Sequence, residues 1–102
     1  MARYKLTKDA QADLIHIRQY TLLQWGSGQS ERYLLALHQA LILLSESPEI
    51  GKKRPDTLTD TLSFPHASHV VYYMVHNDHV LVFAILHKGM VPGSHLEDRG
   101  VD

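Results

Sequence analysis

A chain of 102 residues, 44% apolar and 21% charged, has the composition and length of one globular domain, expected to span residues 1–102. Its formal net charge of -1 supplies no overall pull toward phosphate backbones, so nucleic acid is not expected as a direct partner despite the local run Lys52-Lys53-Arg54. The absence of cysteine excludes disulfides, thiolate metal sites and a cysteine nucleophile.

The opening residues Met1 to Thr7 lack the apolar core of a signal peptide, and no apolar run approaches the ~20 residues that span a bilayer. A cytoplasmic location without membrane association is therefore the expectation. Tyr4 to Leu6 reads as a short strand. Thr7 then suits a helix N-cap, and acidic Asp9 in the first turn favours the helix dipole, so a helix is predicted from about Lys8 to Trp25. Ala10, Leu14, Ile17 and Thr21 recur on one side of it.

Gly26-Ser27-Gly28 interrupts this pattern as an interhelix turn, with Ser27 or Ser30 as the next cap. It follows a helix and lacks a Gly-Lys-Ser/Thr ending, so it does not read as a phosphate loop. From Gln29 to Ser45 the helical period resumes, with Tyr33, Leu34, Leu37, Leu41 and Leu44 on one face. Leu35, Ile42 and Leu43 lie off that stripe, which is more apolar surface than a one-sided helix requires, and they are candidates to receive a partner.

Ser47-Pro48 stops the second helix, and Glu49 to Asp60 has the composition of a loop. Leu62 to Phe64, His69 to Val75 and Val80 to Leu86 are rich in Val, Tyr, Phe and Ile and predict an antiparallel meander, with His76-Asn77-Asp78-His79 as its last turn. The expected fold is α+β: an antiparallel sheet covered on one face by an N-terminal helical hairpin.

Eight histidines raise the question of a metal. An odd separation puts His66 and His69 on opposite faces of a strand unless a turn at Pro65 to Ser68 brings them together, and His76 and His79 lack an accompanying carboxylate or cysteine set. No metal or other cofactor is expected. A ribonuclease would need one group to take the 2′-hydroxyl proton, another to protonate the leaving oxygen and a cation to steady the phosphorane. Arg54, His69, His87 and Lys88 have suitable chemistry, but sequence does not show that they converge.

Three segments carry a family resemblance: Tyr4-Lys-Leu-Thr-Lys-Asp-Ala-Gln-Ala-Asp-Leu, Tyr20 through Gly26, and the pair Ser63-Phe-Pro-His-Ala-Ser-His-Val-Val-Tyr-Tyr with Ile85-Leu-His-Lys-Gly-Met. In order and spacing they resemble the ParE toxin family of the RelE/ParE superfamily across nearly the whole chain. The resemblance implies a type II toxin that forms a hetero-oligomer with a ParD-like antitoxin and inhibits DNA gyrase by trapping its DNA cleavage complex. Such a protein performs no chemistry of its own. His69, His87, Lys88 and Met90 are then the candidate gyrase contacts, and Leu35, Ile42 and Leu43 the candidate antitoxin contacts.

The RelE branch of the same superfamily cuts mRNA on the ribosome. On that alternative the site is drawn from Arg54, His69, His87, Lys88 and the tail residue His95. Relatives often carry Arg just before the Ser-Phe of the middle strand, where this chain has Leu62, and no aromatic residue follows Met90. Both departures favour the gyrase reading. An inactive relative that only binds antitoxin is the third possibility.

Overall fold

The computed structural model describes residues 3–54, 60–90, Leu96 and Arg99. Strand β1 (Tyr4–Leu6) leads through Thr7 into helix α1 (Lys8–Trp25). The Thr7 hydroxyl accepts the Ala10 N–H at 3.2 Å, as the sequence predicts for this cap. Ala10, Asp13, Ile17 and Thr21 form the buried stripe of α1.

The chain reverses at Gly26 alone, and α2 runs over Ser27–Glu46, two residues earlier than the sequence suggested. Gly26 sits at φ 84°, a left-handed backbone that glycine adopts without steric cost, so no longer turn is needed. Neither Ser27 nor Ser30 caps α2, contrary to expectation. The buried Ser30 hydroxyl instead meets that of Thr21 at 2.7 Å, a polar tie between the two helices beside their apolar contacts.

A 3-10 turn at Pro48–Ile50 and a two-residue strand β2 (Lys52–Lys53) occupy part of what read as loop, followed by β3 (Leu62–His66), β4 (His69–Val75) and β5 (Val80–His87). The Tyr73 hydroxyl donates to the Pro48 carbonyl at 2.8 Å and lies against Gly51, where a side chain would collide with it.

The five strands form one sheet in the order β1-β5-β4-β3-β2. Strands β2 to β5 are antiparallel neighbours, as predicted, whereas β1 joins the edge parallel to β5 through Tyr4↔Val80 and Leu6↔Val82. Composition could not reveal that pairing, because it depends on where the helical hairpin returns the chain. Opposite Tyr72 and Tyr73, β5 bulges: Tyr72 faces Ala84 and Tyr73 faces Val82, which leaves Phe83 as the extra residue.

The two faces of the sheet carry separate cores. Val71, Tyr73, Val82 and Ile85 pack with Ala10, Ile17, Leu37, Leu41 and Leu44 under the helices. Tyr72, Phe83, Ala84 and Leu86 pack on the other face with Leu96 from the carboxyl-terminal segment. Among the described residues no helix is long and apolar enough to cross a membrane.

Candidate functional site

Strand alternation carries the helix-facing row of the sheet from its core to its end. On β3 that row is Leu62, Phe64, His66; across from it on β4 stand Tyr73, Val71, His69. A turn with Ala67 at φ 51° makes His66 and His69 direct partners, so the two histidines do converge, by the turn that the sequence left open. His87 on β5 completes the row opposite His69.

Tyr33 of α2 organises this end. Its ring meets His66 and His69 edge-on at 5.7 and 5.6 Å, and His69 in turn meets His87 at 5.7 Å. The Tyr33 hydroxyl lies 2.6 Å from His69 Nδ1 and accepts the Ser68 N–H at 3.3 Å. Burial, then His87 and His66, hold His69 down from an ordinary 6.5 to about 4, against a smaller opposing pull from Asp13. His69 is therefore neutral near pH 7. Burial also lowers His66 and raises Tyr33.

A cavity of about 440 Å3 opens between α1 and this end of the sheet, lined by Asp13, His16, Ile17 and Tyr20 on one side and His69, Ile85, Leu86, His87 and Met90 on the other. Such a volume lies in the range of ligand or side-chain pockets. His87 Nδ1 accepts the Gly89 N–H at 3.1 Å, which orients its exposed ring. Lys88 and Met90 follow in an exposed turn, pinned by Lys88 N–H to the Ser68 carbonyl and Met90 N–H to the His87 carbonyl, both at 2.9 Å.

One wall of the cavity is fixed by a contact that the sequence reading missed. β1 stops pairing at Val82, and beyond it side chains take the place of a neighbouring strand on β5. Asp13 Oδ2 accepts the Ile85 N–H at 2.9 Å, and Arg99 donates to both Asp13 oxygens at 2.6 and 3.0 Å and to the Phe83 carbonyl at 3.1 Å. Asp13 in turn holds Arg99 more firmly in its charged form. The signal available in the sequence was a carboxylate on the apolar stripe of α1, three residues after Ala10 and four before Ile17. Tyr33 gave no such signal as a polar group, because it read as one more apolar position.

The structure brings together His69, His87, Lys88 and Met90 but not the full nuclease set. The Arg54 guanidinium lies 5.8 Å from the centre of the Tyr72 ring, and Tyr72 belongs to the core on the opposite sheet face from His69. Leu62 packs against the helix-side core. His95 lies outside the described residues. Among the described residues no group of three or more His, Asp or Glu side chains is placed so that it could hold a metal ion.

The second candidate surface is on the hairpin. Leu35, Ile42 and Leu43 are 58%, 39% and 45% exposed. Leu35 and Ile42, two turns apart, share a stripe next to His38, whereas Leu43 lies about 100° round the helix from Ile42. Beside that stripe a groove of about 280 Å3 runs between the helices, lined by Leu14, Ile15, Arg18, Leu34, Leu37 and Leu41, with Tyr4 and His38 joined at 2.7 Å.

This arrangement of a helical hairpin on a five-stranded sheet is shared with solved toxin–antitoxin proteins. It superposes on a chain of a chromosomal ParDE system from P. aeruginosa with a TM-score of 0.73 and 17% identity, covering 85% of this chain and 96% of that one. A chain of the RelBE2 toxin–antitoxin complex from Mycobacterium tuberculosis gives 0.60 and 18%, covering 85% and 98%. The fold is thus one found in solved ParDE and RelBE2 toxin–antitoxin systems. The sequence narrows this: residues 4–92 match the family described as ParE toxin of type II toxin-antitoxin system, parDE. Toxin ParE of Escherichia coli is 34% identical over 97% of both chains, and Toxin ParE1 of Caulobacter vibrioides is 30% identical over 94% of this chain and 99% of its own. The chain belongs to the ParE toxin family and is the toxin of a type II toxin–antitoxin system.

Proposed function

We propose that this toxin acts by binding: it inhibits DNA gyrase by holding the enzyme's DNA cleavage complex in its broken state, and a ParD-like antitoxin neutralises it. The observation that carries the choice of mechanism is the composition of the sheet end. His69 is neutral, Leu62 packs against the helix-side core and Arg54 lies on the other face, so among the described residues only His87 and Lys88 of the groups named for RNA cleavage remain at this end as proton donor and cation. Trapping a protein–DNA complex needs only a complementary surface, and His87, Lys88 and Met90 offer an exposed one, with His69 behind them.

The ParD-like partner is supported by family membership and by likeness to a toxin–antitoxin chain whose system is named ParDE. The stripe of Leu35 and Ile42 next to the hairpin groove is the surface assigned to it, with Leu43 at its margin. Leu35→Glu combined with Ile42→Glu is expected to weaken antitoxin binding at least about tenfold, because two apolar contacts are replaced by charges that must be desolvated. Both residues are exposed, so the free toxin's melting temperature should hardly change. Equal affinity of this double variant would remove the stripe from the interface.

The activity is tested by running two assays on one preparation: supercoiling and DNA cleavage by gyrase, and primer extension on translating ribosomes. Loss of supercoiling with accumulation of cleaved DNA supports the proposal. Robust mRNA cuts that disappear in His87→Ala, with gyrase unaffected, would replace it by the endoribonuclease reading. No effect in either assay would leave an antitoxin-binding relative without toxicity.

A further inference from the structure

The cavity beside His69 has two imidazoles whose proton positions the surrounding bonds define. The Tyr33 hydroxyl accepts the Ser68 N–H and has two acceptors for its own proton, His69 Nδ1 at 2.6 Å and the His66 carbonyl at 3.4 Å, and the much shorter distance assigns that proton to His69 Nδ1. A neutral imidazole that accepts at Nδ1 carries its proton on Nε2. The same logic applies to His87 in its neutral form, whose Nδ1 accepts the Gly89 N–H. Both rings line the cavity, 5.7 Å apart between centroids. Each therefore has an Nε2–H donor without a hydrogen-bond partner among the described residues.

Around these donors the walls are apolar at Ile17, Ile85, Leu86 and Met90, with Tyr20 at the rim. The one carboxylate of the lining, Asp13, is bound by Arg99 through two hydrogen bonds and contributes little net negative charge. Exposed His16 and Lys88 make the margin neutral to positive. Two N–H donors at the end of an apolar cleft, with no free anion beside them, match a carboxylate on a short aliphatic stem.

We infer that this cavity is a receptor for an acidic side chain, an Asp or Glu of the antitoxin, which enters between α1 and β5 and accepts the Nε2–H bonds of His69 and His87. The inference rests on the antitoxin reading above and adds to it a second contact, on the opposite flank of α1 from the hairpin groove. The same residues are the proposed gyrase contacts, so an antitoxin anchored there covers them. Tyr33 is a positioning residue in this arrangement, acting through the tautomer of His69.

The test uses the full-length toxin and the protein encoded by the reading frame immediately upstream. That protein is prepared with each Asp or Glu of its carboxyl-terminal half changed singly to Asn or Gln, and affinities are measured against wild-type, His69→Gln and His87→Ala toxin. One acidic position is expected to cost about tenfold in affinity with the wild-type toxin and less than about twofold with the histidine variants, as a charge-assisted hydrogen bond shared by those groups requires. Imidazole 15N spectra of the free toxin should show the Nε2–H form at His69 almost exclusively, with a measurable rise of the Nδ1–H form in Tyr33→Phe. If His69→Gln does not fold, the exposed His87→Ala carries the same cycle. Binding in which no acidic position couples to either histidine overturns this inference and leaves the antitoxin reading standing. Absence of any binding at micromolar concentration overturns both.

Discussion

The two ends of the β4–β5 hairpin carry histidines in similar number and treat them differently. At the turn, His76 and His79 stack in parallel at 4.9 Å, and exposed Asp78 accepts a hydrogen bond from His79 that lowers the Asp78 carboxyl. At the far end His69 is buried under Tyr33 and pushed down to about 4, and a buried carboxylate, Asp13, ties α1 to both the strand edge and Arg99. The contrast teaches that histidine content carries little information here. Close packing of α1 and Tyr33 over one end, against an exposed turn at residues 76–78 of the other, decides which polar groups are buried enough to shape a site.

The sharpest way to break this comparison is to remove one carboxylate from each end. Asp13→Ala strands the Ile85 N–H and leaves the half-buried Arg99 uncompensated, and is expected to cost about 3 kcal/mol. For a domain of this size that lowers the melting temperature by more than about 10 °C. Asp78→Ala, at a fully exposed position, should leave it unchanged. Equal effects in thermal melts would mean that the two ends are not differently built.

Tyr33→Phe is the next largest, at about 1–2 kcal/mol, because the His69 ring and the Ser68 N–H lose a common partner. Its measurement is chemical denaturation beside the same experiment on His76→Ala, for which no comparable loss is expected. Smaller still is the pH effect. His69 binds a proton less readily in the folded chain than in the unfolded one, so the unfolded state takes up more protons between about 6.5 and about 4. Stability contributed by the neutral ring is present above that window and falls as the pH drops through it. His69→Gln should flatten that part of the stability profile; an unchanged slope would show that His69 is not the group responsible.

The same contrast explains what was legible in the sequence. The bounds of α1, its Thr7 cap, the strand His69–Val75 and the helix-over-sheet layering followed from local chemistry: an oxygen at a cap, and a hydrophobic period that changes from helical to alternating. Local signals failed where a partner from far along the chain decides the outcome. Lys52 and Lys53 form a strand only because Ser63 and Leu62 are there to pair with them. β1 runs parallel to β5 because of the path of the hairpin, and Asp13 meets Ile85 and Arg99 across 72 and 86 residues of sequence. Of the candidate site, His69, His87, Lys88 and Met90 fall at one end of the sheet, whereas Arg54 was separated from them by a face of that sheet. Which face a loop residue joins is set by register, and the sequence did not show the short strand that sets it.

The central claim, that this toxin works by binding gyrase on DNA and not by cutting RNA, is tested most directly by counting gyrase-dependent DNA breaks in a purified system. Toxin added to gyrase, ATP and supercoiled plasmid should raise the fraction of protein-linked linear DNA, and His87→Ala with Lys88→Ala should shift the required toxin concentration upward without changing the maximum at saturation. An unchanged level of cleaved DNA at toxin concentrations that arrest growth would contradict the account.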